Sequence, residues 1–177
     1  MTCSEVEFDA LFLAHYEGVY RLLYRIVGAR EDAEDLAQET FLRLARHGQP
    51  DQEPHVRAWL YRVATNLAYN LLRSEGRRQR RQQAYGAANG ETETDPIEIA
   101  ARQDERAAVR RALASLPERQ AQLLLLRHAG LSYRELAAVI GVASGSVGTL
   151  LARAEAAFEK AYRAASREEG GRGHGTM

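Results

Sequence analysis

The sequence predicts an all-α protein of two small helical domains joined by a flexible linker, and three observations predict it. Apolar residues recur at helical spacing along most of the chain, with no run of strand-like alternation. Around residues 76–94 that pattern stops and polar and small residues take over. In the second half, Ser or Asp is followed repeatedly by Pro or Glu at capping distance, the signature of helix starts. At 177 residues the chain has room for one medium domain or two small ones.

The first helix is carried by Leu11, Phe12, Tyr16, Val19, Tyr20, Leu23 and Ile26, from Phe8 up to Gly28. A second follows, with Asp32 and Asp35 at capping-box spacing, although Glu or Gln would be the usual partner. Its stripe is Ala33, Leu36, Ala37, Thr40, Phe41 and Leu44, and His47-Gly48-Gln49-Pro50 ends it. The third runs from Glu53 or Pro54 to Ser74, with Val56, Trp59, Leu60, Val63, Ala64, Leu67 and Leu71 as its stripe. Three such stripes bury one another, so residues 1–75 read as a three-helix bundle.

Gly76 then breaks the pattern, followed by Arg77, Arg78, Arg80 and Arg81 and a stretch with almost no bulky apolar residue. Residues 76–94 read as the linker. The second domain, 95–165, opens at Asp95-Pro96-Ile97-Glu98, an acid cap with proline in the first position. Ser115-Leu116-Pro117-Glu118 ends that helix and starts the next, through Leu123 to Leu126. Ser132-Tyr133-Arg134-Glu135 is a capping box leading into Leu136, Ala137 and Ile140. Gly141 makes a tight turn, and a last helix runs from Ser144 or Ser146 to Ala164. Two short helices around a glycine turn make a helix-turn-helix. The glycine-rich tail, 166–177, reads as disordered.

Composition narrows the function. Apolar residues are 45% and charged residues 27%, ordinary for a soluble protein. No window approaches eighteen apolar residues, so no membrane span is expected. The first eight residues lack the basic-then-apolar order of a signal peptide, and the single Cys3 makes no internal disulfide; a cytoplasmic location fits both. Net charge is zero, but it is segregated. Residues 1–75 hold 8 basic and 12 acidic side chains, 76–90 hold four arginines and no acid, 91–106 hold 2 and 6, and 107–177 hold 10 and 6. Segregation of this kind suits several partners of different sign.

No catalytic constellation emerges. His15, His47, His55, His128 and His174 are scattered without metal-ligand spacing. No glycine-rich phosphate loop follows a strand. The expectation is no enzyme activity, no cofactor and no metal.

Two faces point to binding instead. On the second helix, Glu31, Asp32 and Glu34 suit the positive end of the helix dipole. Glu39 lies two turns in and shares a solvent face with Asp35 and Gln38, so the dipole and a binding role both stand. The third helix turns Arg57, Tyr61, Arg62, Thr65, Asn66, Tyr69, Asn70 and Arg73 away from its stripe. Arginine for phosphate, aromatic rings for stacking and amides for base edges are what single-stranded nucleic acid requires. A solvated face without a partner is the alternative. Trp59 belongs to the stripe and reads as core. The arginine run is either a steering patch for nucleic acid or a linker charge block.

These residues resemble the extracytoplasmic-function sigma factors from about Phe8 to Tyr162. The run from Asp32 to Leu42, DAEDLAQETFL, is similar to the family's polymerase-binding signature in region 2. AWLYRVATNLA, Ala58 to Ala68, is similar to its −10 promoter-reading segment. LPERQ from Leu116 and GLSYRELA from Gly130 resemble region 4. The resemblance implies a subunit that binds core RNA polymerase and directs promoter-specific initiation. Asp35, Gln38 and Glu39 would meet the clamp helices of the largest polymerase subunit. Region 4 would meet the flap of the second. Arg62, Asn66 and Asn70 would read the unstacked −10 strand, with Tyr69 and Arg73 beside them on the helix face. Arg134, Ser144, Ser146, Thr149 and Arg153 would face the −35 major groove. The linker would thread the polymerase cleft, and an anti-sigma factor is an implied partner. One departure stands out. Where the family carries lysine and arginine in its recognition helix, this chain has Gly148 and Leu150. Two rival readings follow from the same residues: a stand-alone helix-turn-helix DNA-binding regulator, which gives the acidic face no role, and a scaffold bound through that face, which predicts no DNA affinity.

Overall fold

The computed structural model describes residues 5–47, 53–84 and 100–172. Among these, seven helices and no strand occur: α1 (Glu5–Val27), α2 (Arg30–His47), α3 (Glu53–Ala84), α4 (Ala100–Ser115), α5 (Glu118–His128), α6 (Tyr133–Ile140) and α7 (Ser144–Arg172). The all-α reading holds.

Helices α1, α2 and α3 bury their stripes against one another. Val19, Leu22 and Leu23 of α1 meet Ala33, Ala37, Phe41 and Leu44 of α2 and Val56, Leu60, Ala64 and Ala68 of α3, all essentially inaccessible. Each large aliphatic or aromatic side chain removed from water this way contributes about 1.5–3 kcal/mol. Phe41 anchors an aromatic cluster, edge-on to Phe12 at 5.0 Å and to Phe8 at 6.5 Å, with Tyr16 beside it.

The buried face of α3 is rotated from the expected stripe. Tyr61 and Thr65, expected on the open face, are buried, while Trp59, Val63 and Leu67 are half-buried. Two local features explain the rotation. Gly18 of α1 leaves a slot for the Tyr61 ring; a Cβ there would lie 2.5 Å from the Tyr61 hydroxyl. The Thr65 hydroxyl donates to the Tyr61 carbonyl at 2.7 Å, so it enters the core without an unpaired polar group. Thr40 does the same with the Leu36 carbonyl.

In the second half, α4 packs along the C-terminal half of α7, while α5, α6 and the start of α7 enclose Leu123, Leu126, Leu131, Leu136, Val147 and Leu151. The Ser132 capping box is present in both directions. Gly141 closes α6 with φ of 68°, the left-handed turn that glycine adopts without penalty. Helices α6 and α7 then meet at 88°, the bend of a helix-turn-helix.

Several boundaries differ from expectation. Helix α3 continues through Gly76 to Ala84, so residues 76–84 are helix and not linker. One interior glycine costs about 1 kcal/mol against alanine, and the Arg and Gln residues around it are good helix formers. Helix α7 runs on to Arg172, past the expected end at Ala164, because Ala, Arg and Glu continue beyond it. Helix α2 starts at Arg30, which places Asp32 inside the first turn and leaves no Asp32–Asp35 cap. At α5 the cap position is Pro117 with no side-chain bond; Ser115 instead donates to the Ala112 carbonyl at 2.8 Å. The Asp95-Pro96 start, the rest of the linker and residues 173–177 lie outside the described residues.

The two halves touch. Helix α6 lies against α3 and α5 touches α1, and their buried side chains form one continuous core.

Candidate functional site

Three faces gather the residues singled out in the sequence. On α2, Asp35 and Gln38 are exposed and Glu39 is half-buried. Glu39 accepts from Arg43 Nε at 2.8 Å one turn on. Leu42 completes this stripe. It is 48% exposed and stands three, four and seven residues after Glu39, Gln38 and Asp35, so all four share one face. Sequence reasoning missed Leu42; its spacing from Asp35 was the available signal. This face therefore joins an exposed leucine to two carboxylates and an amide.

On α3, Arg62, Asn66, Asn70 and Arg73 are all exposed, at steps of four, four and three residues, in one line down the helix. Arg73 donates to Asn70 Oδ1 at 2.8 Å. Tyr69 is only half-buried, which corrects its placement on an open face. Burial, with the Glu118 carboxylate adding to it, pushes its phenol up to about 12. Arg57 does not belong to this open face either. Its guanidinium reaches across to α6, 3.2 Å from Glu135 Oε1. Trp59 packs against the core.

On the second half, Arg134, Ser144, Ser146, Thr149 and Arg153 are all exposed around the helix-turn-helix. The start of α7 carries the positive end of the helix dipole beside the exposed Ser144 and Ser146 hydroxyls, and the Ser146 N–H donates to the Ala143 carbonyl at 2.9 Å. Gly148 lies beside Tyr133; a Cβ on it would sit 3.7 Å from the ring's Cε2, in ordinary contact. Tyr133 is 48% exposed, and the Arg127 guanidinium lies over its ring at 5.6 Å. An aromatic ring and a cation thus occupy the surface beside the missing lysine. Among the described residues no three His, Cys, Asp or Glu side chains are placed to hold a metal ion, and no single helix is long and apolar enough to cross a membrane.

The comparisons with known proteins follow this division. Residues 11–78 match the model of sigma-70 region 2, and residues 106–158 match that of sigma-70 region 4. The first match contains the acidic face of α2 and the exposed line on α3; the second contains the helix-turn-helix. The RNA polymerase sigma-H factor of Pseudomonas aeruginosa is 32% identical over 171 residues, 91% of this chain and 89% of its own length. The extracytoplasmic-function sigma factor SigM of Mycobacterium tuberculosis is 32% identical over 151 residues, 84% of this chain and 74% of its own length. The chain belongs to the extracytoplasmic-function sigma factors.

The sigma factor SigE of Mycolicibacterium smegmatis, itself of the extracytoplasmic-function type, is 39% identical over 150 residues, 82% of this chain. This sigma factor spans only 57% of that relative's length. The fold also matches solved structures. CnrH, solved with the cytosolic domain of CnrY, superposes with a TM-score of 0.66 at 24% identity, over 91% of this chain and 90% of that one. RpoE of Bartonella quintana, solved with the anti-sigma factor NepR, superposes with a TM-score of 0.63 at 21% identity, over 88% and 96%. In this sigma factor α1, α2 and α3 are region 2, and α4 to α7 carry region 4.

Proposed function

We propose that this chain binds core RNA polymerase through the face Asp35, Gln38, Glu39 and Leu42, and directs promoter-specific initiation by reading DNA with both regions. The observation that carries the reading is the separation of the two exposed faces of region 2. The carboxylates and Leu42 lie on α2, and the line Arg62, Asn66, Asn70 and Arg73 lies on α3. One bundle therefore offers an acidic protein-docking face and a basic, amide-rich face to different partners at once. The first suits the clamp helices of the largest polymerase subunit. The second suits the flipped bases and phosphates of a melted −10 strand. Region 4 sets its last helix in the −35 major groove through Arg134, Ser144, Ser146, Thr149 and Arg153, and meets the flap of the second-largest subunit.

The factor does no chemistry of its own and works in the cytoplasm, where polymerase is. An anti-sigma factor is a further partner, as for the sigma factor RpoE of similar fold, which was solved bound to one. The stand-alone regulator remains the second reading; the exposed Leu42 amid carboxylates argues against it, since DNA binding alone gives that surface no use.

Run-off transcription with sigma-free core polymerase over a genomic promoter library tests the reading. Discrete start sites that depend on the added chain are the expected result. No transcription above core alone, with DNA binding retained, would establish the stand-alone regulator.

A further inference from the structure

Arg119 is exposed and lies in the LPERQ run, yet none of the faces above uses it. Its Nη2 donates to the Ile140 carbonyl at 3.1 Å. Ile140 is the last residue of α6, and Gly141 follows it with φ of 68°. The carbonyl that Arg119 holds therefore belongs to the peptide at which the chain turns from α6 towards α7. It is one of the carbonyls that a helix end leaves without an intrahelical partner. It also lies at the negative end of the α6 dipole, where a guanidinium is favoured.

The opposite end of α6 is held from the same helix. Arg127 Nη1 donates to the Leu131 carbonyl at 3.1 Å, directly before the Ser132 cap. Arg119 and Arg127 are eight residues apart, about 12 Å along α5, and α6 is itself eight residues long. One arginine near each end of α5 thus grips the backbone at one end of α6. A helix this short lies well below the ~12 residues at which an isolated helix becomes even marginal, so its ends depend on such contacts. The turn that follows has little packing to hold it. Gly141, Ala143, Ser144, Gly145 and Ser146 are exposed, and Val142 alone among residues 141–146 is half-buried. A Cβ on Gly141 or Gly145 would meet nothing within 4 Å. Hydrogen bonds close the turn instead: the Gly141 and Val142 N–H groups donate to the Ala137 carbonyl at 2.9 and 3.1 Å, and Arg119 ties it from outside.

Such a tie matters most where the contacts beyond it are short. The hydroxyls of Ser144, Ser146 and Thr149 stand close to the backbone, so a small rotation of α7 carries them out of hydrogen-bond range. A lysine could follow a phosphate on its four-carbon stem; Gly148 cannot. We propose that Arg119 is a positioning residue for −35 binding: by fixing the Ile140–Gly141 peptide it sets the 88° bend between α6 and α7, and with it the place at which the α7 hydroxyls meet DNA. The proposal rests on the −35 reading of α7; the brace on the turn does not. Arg119 acts through the turn and touches no DNA itself.

The test uses the full chain with Arg119→Met, which keeps an unbranched stem and removes the donor. Methionine is a good helix former, so helicity and melting temperature should stay near those of the wild type. Hydrogen exchange at the Gly141 and Val142 amides should quicken by about fivefold or more. Binding of a fluorescent random-sequence duplex of roughly twenty base pairs, followed by anisotropy, should weaken by about threefold or more as fewer molecules hold α7 in the competent pose. The log–log salt slope should stay within about 0.3 of the wild-type value, because no phosphate contact is lost. Wild-type exchange rates would overturn the brace, and lost helicity would make Arg119 a folding residue and overturn the proposal. Faster exchange with unchanged binding would overturn the positioning role, and a concurrent lack of response to Arg153→Ala would place the fault in the −35 reading itself. A slope shallower by about 0.9 would make Arg119 a phosphate contact and overturn its action through the turn.

Discussion

The reading helices of the two regions are built on opposite plans. Helix α3 is a long rod with two arginines and two asparagines exposed in one line, Arg62, Asn66, Asn70 and Arg73. The first turns of α7 expose Ser144, Ser146 and Thr149, with Arg153 the one cation among the −35 candidates on that helix. Amides and guanidinium groups discriminate bases by paired hydrogen bonds; hydroxyls at a helix N-terminus hold phosphates and discriminate little. On the reading proposed above, the difference places promoter choice mainly on region 2 and leaves region 4 chiefly to position. The two regions also use glycine in opposite ways. Gly18 is a slot that the core needs; Gly148 is half-buried beside Tyr133, with room for a methyl.

The sharpest way to break this picture is to remove region 2's hold on polymerase. Asp35→Ala with Glu39→Ala should weaken core binding by about 2–5 kcal/mol, the range for truncating charges buried in an interface. Exposed acids contribute little to folding, so circular dichroism should stay native while a pull-down fails. Native helicity with full retention of core would dismiss the acidic face. Next in size, Asn66→Ala or Asn70→Ala should cost roughly 1–3 kcal/mol in open-complex formation, read by permanganate footprinting, with core binding intact. If both variants melt promoters as the wild type does, the weight does not lie on α3.

The glycines sharpen the comparison by sign. Gly18→Ala drives a methyl into the Tyr61 hydroxyl; overpacking of this kind costs about 1–3 kcal/mol, set against about 1 kcal/mol gained in helix propensity, for a net fall in melting temperature. Gly148→Ala meets only ordinary contact with Tyr133 and should raise stability by up to about 1 kcal/mol through helix propensity. The smallest expected effect is on salt. Gly148→Lys should steepen the log–log salt dependence of −35 DNA binding by about 0.9, one phosphate contact, measured by fluorescence anisotropy. A steep wild-type slope, or no response to the lysine, would show that α7 does not lie in the groove as drawn.

Much of this was legible in the sequence, and what was not has identifiable causes. Helical periodicity marked all four helix positions that carry the site, and the Ser132 box and Gly141 turn were readable because capping is local chemistry. The buried side of α3 was not: Tyr61 and Thr65 are polar by name, and only Gly18, forty-three residues earlier, makes room for the ring. Arg57 and Tyr69 were misplaced for a related reason. Their neighbours, Glu135 and Glu118, belong to the other region, and no periodicity within one helix reports a partner so distant in sequence. Gly76 misled in the other direction, because a breaker was weighed without the good helix formers on both sides of it.

That uninterrupted α3 also sets a reach. The eight steps from Gly76 to Ala84 advance about 12 Å as helix, where an extended chain would cover roughly 26–29 Å. Between Ala84 and Ala100 the covalent chain spans at most about 53–58 Å, however it is arranged. Region 4 is therefore on a shorter leash than a linker beginning at residue 76 would provide. The distance it can stand from the −10 strand is capped by bond geometry, and so is the longest promoter spacer that both regions can bridge together.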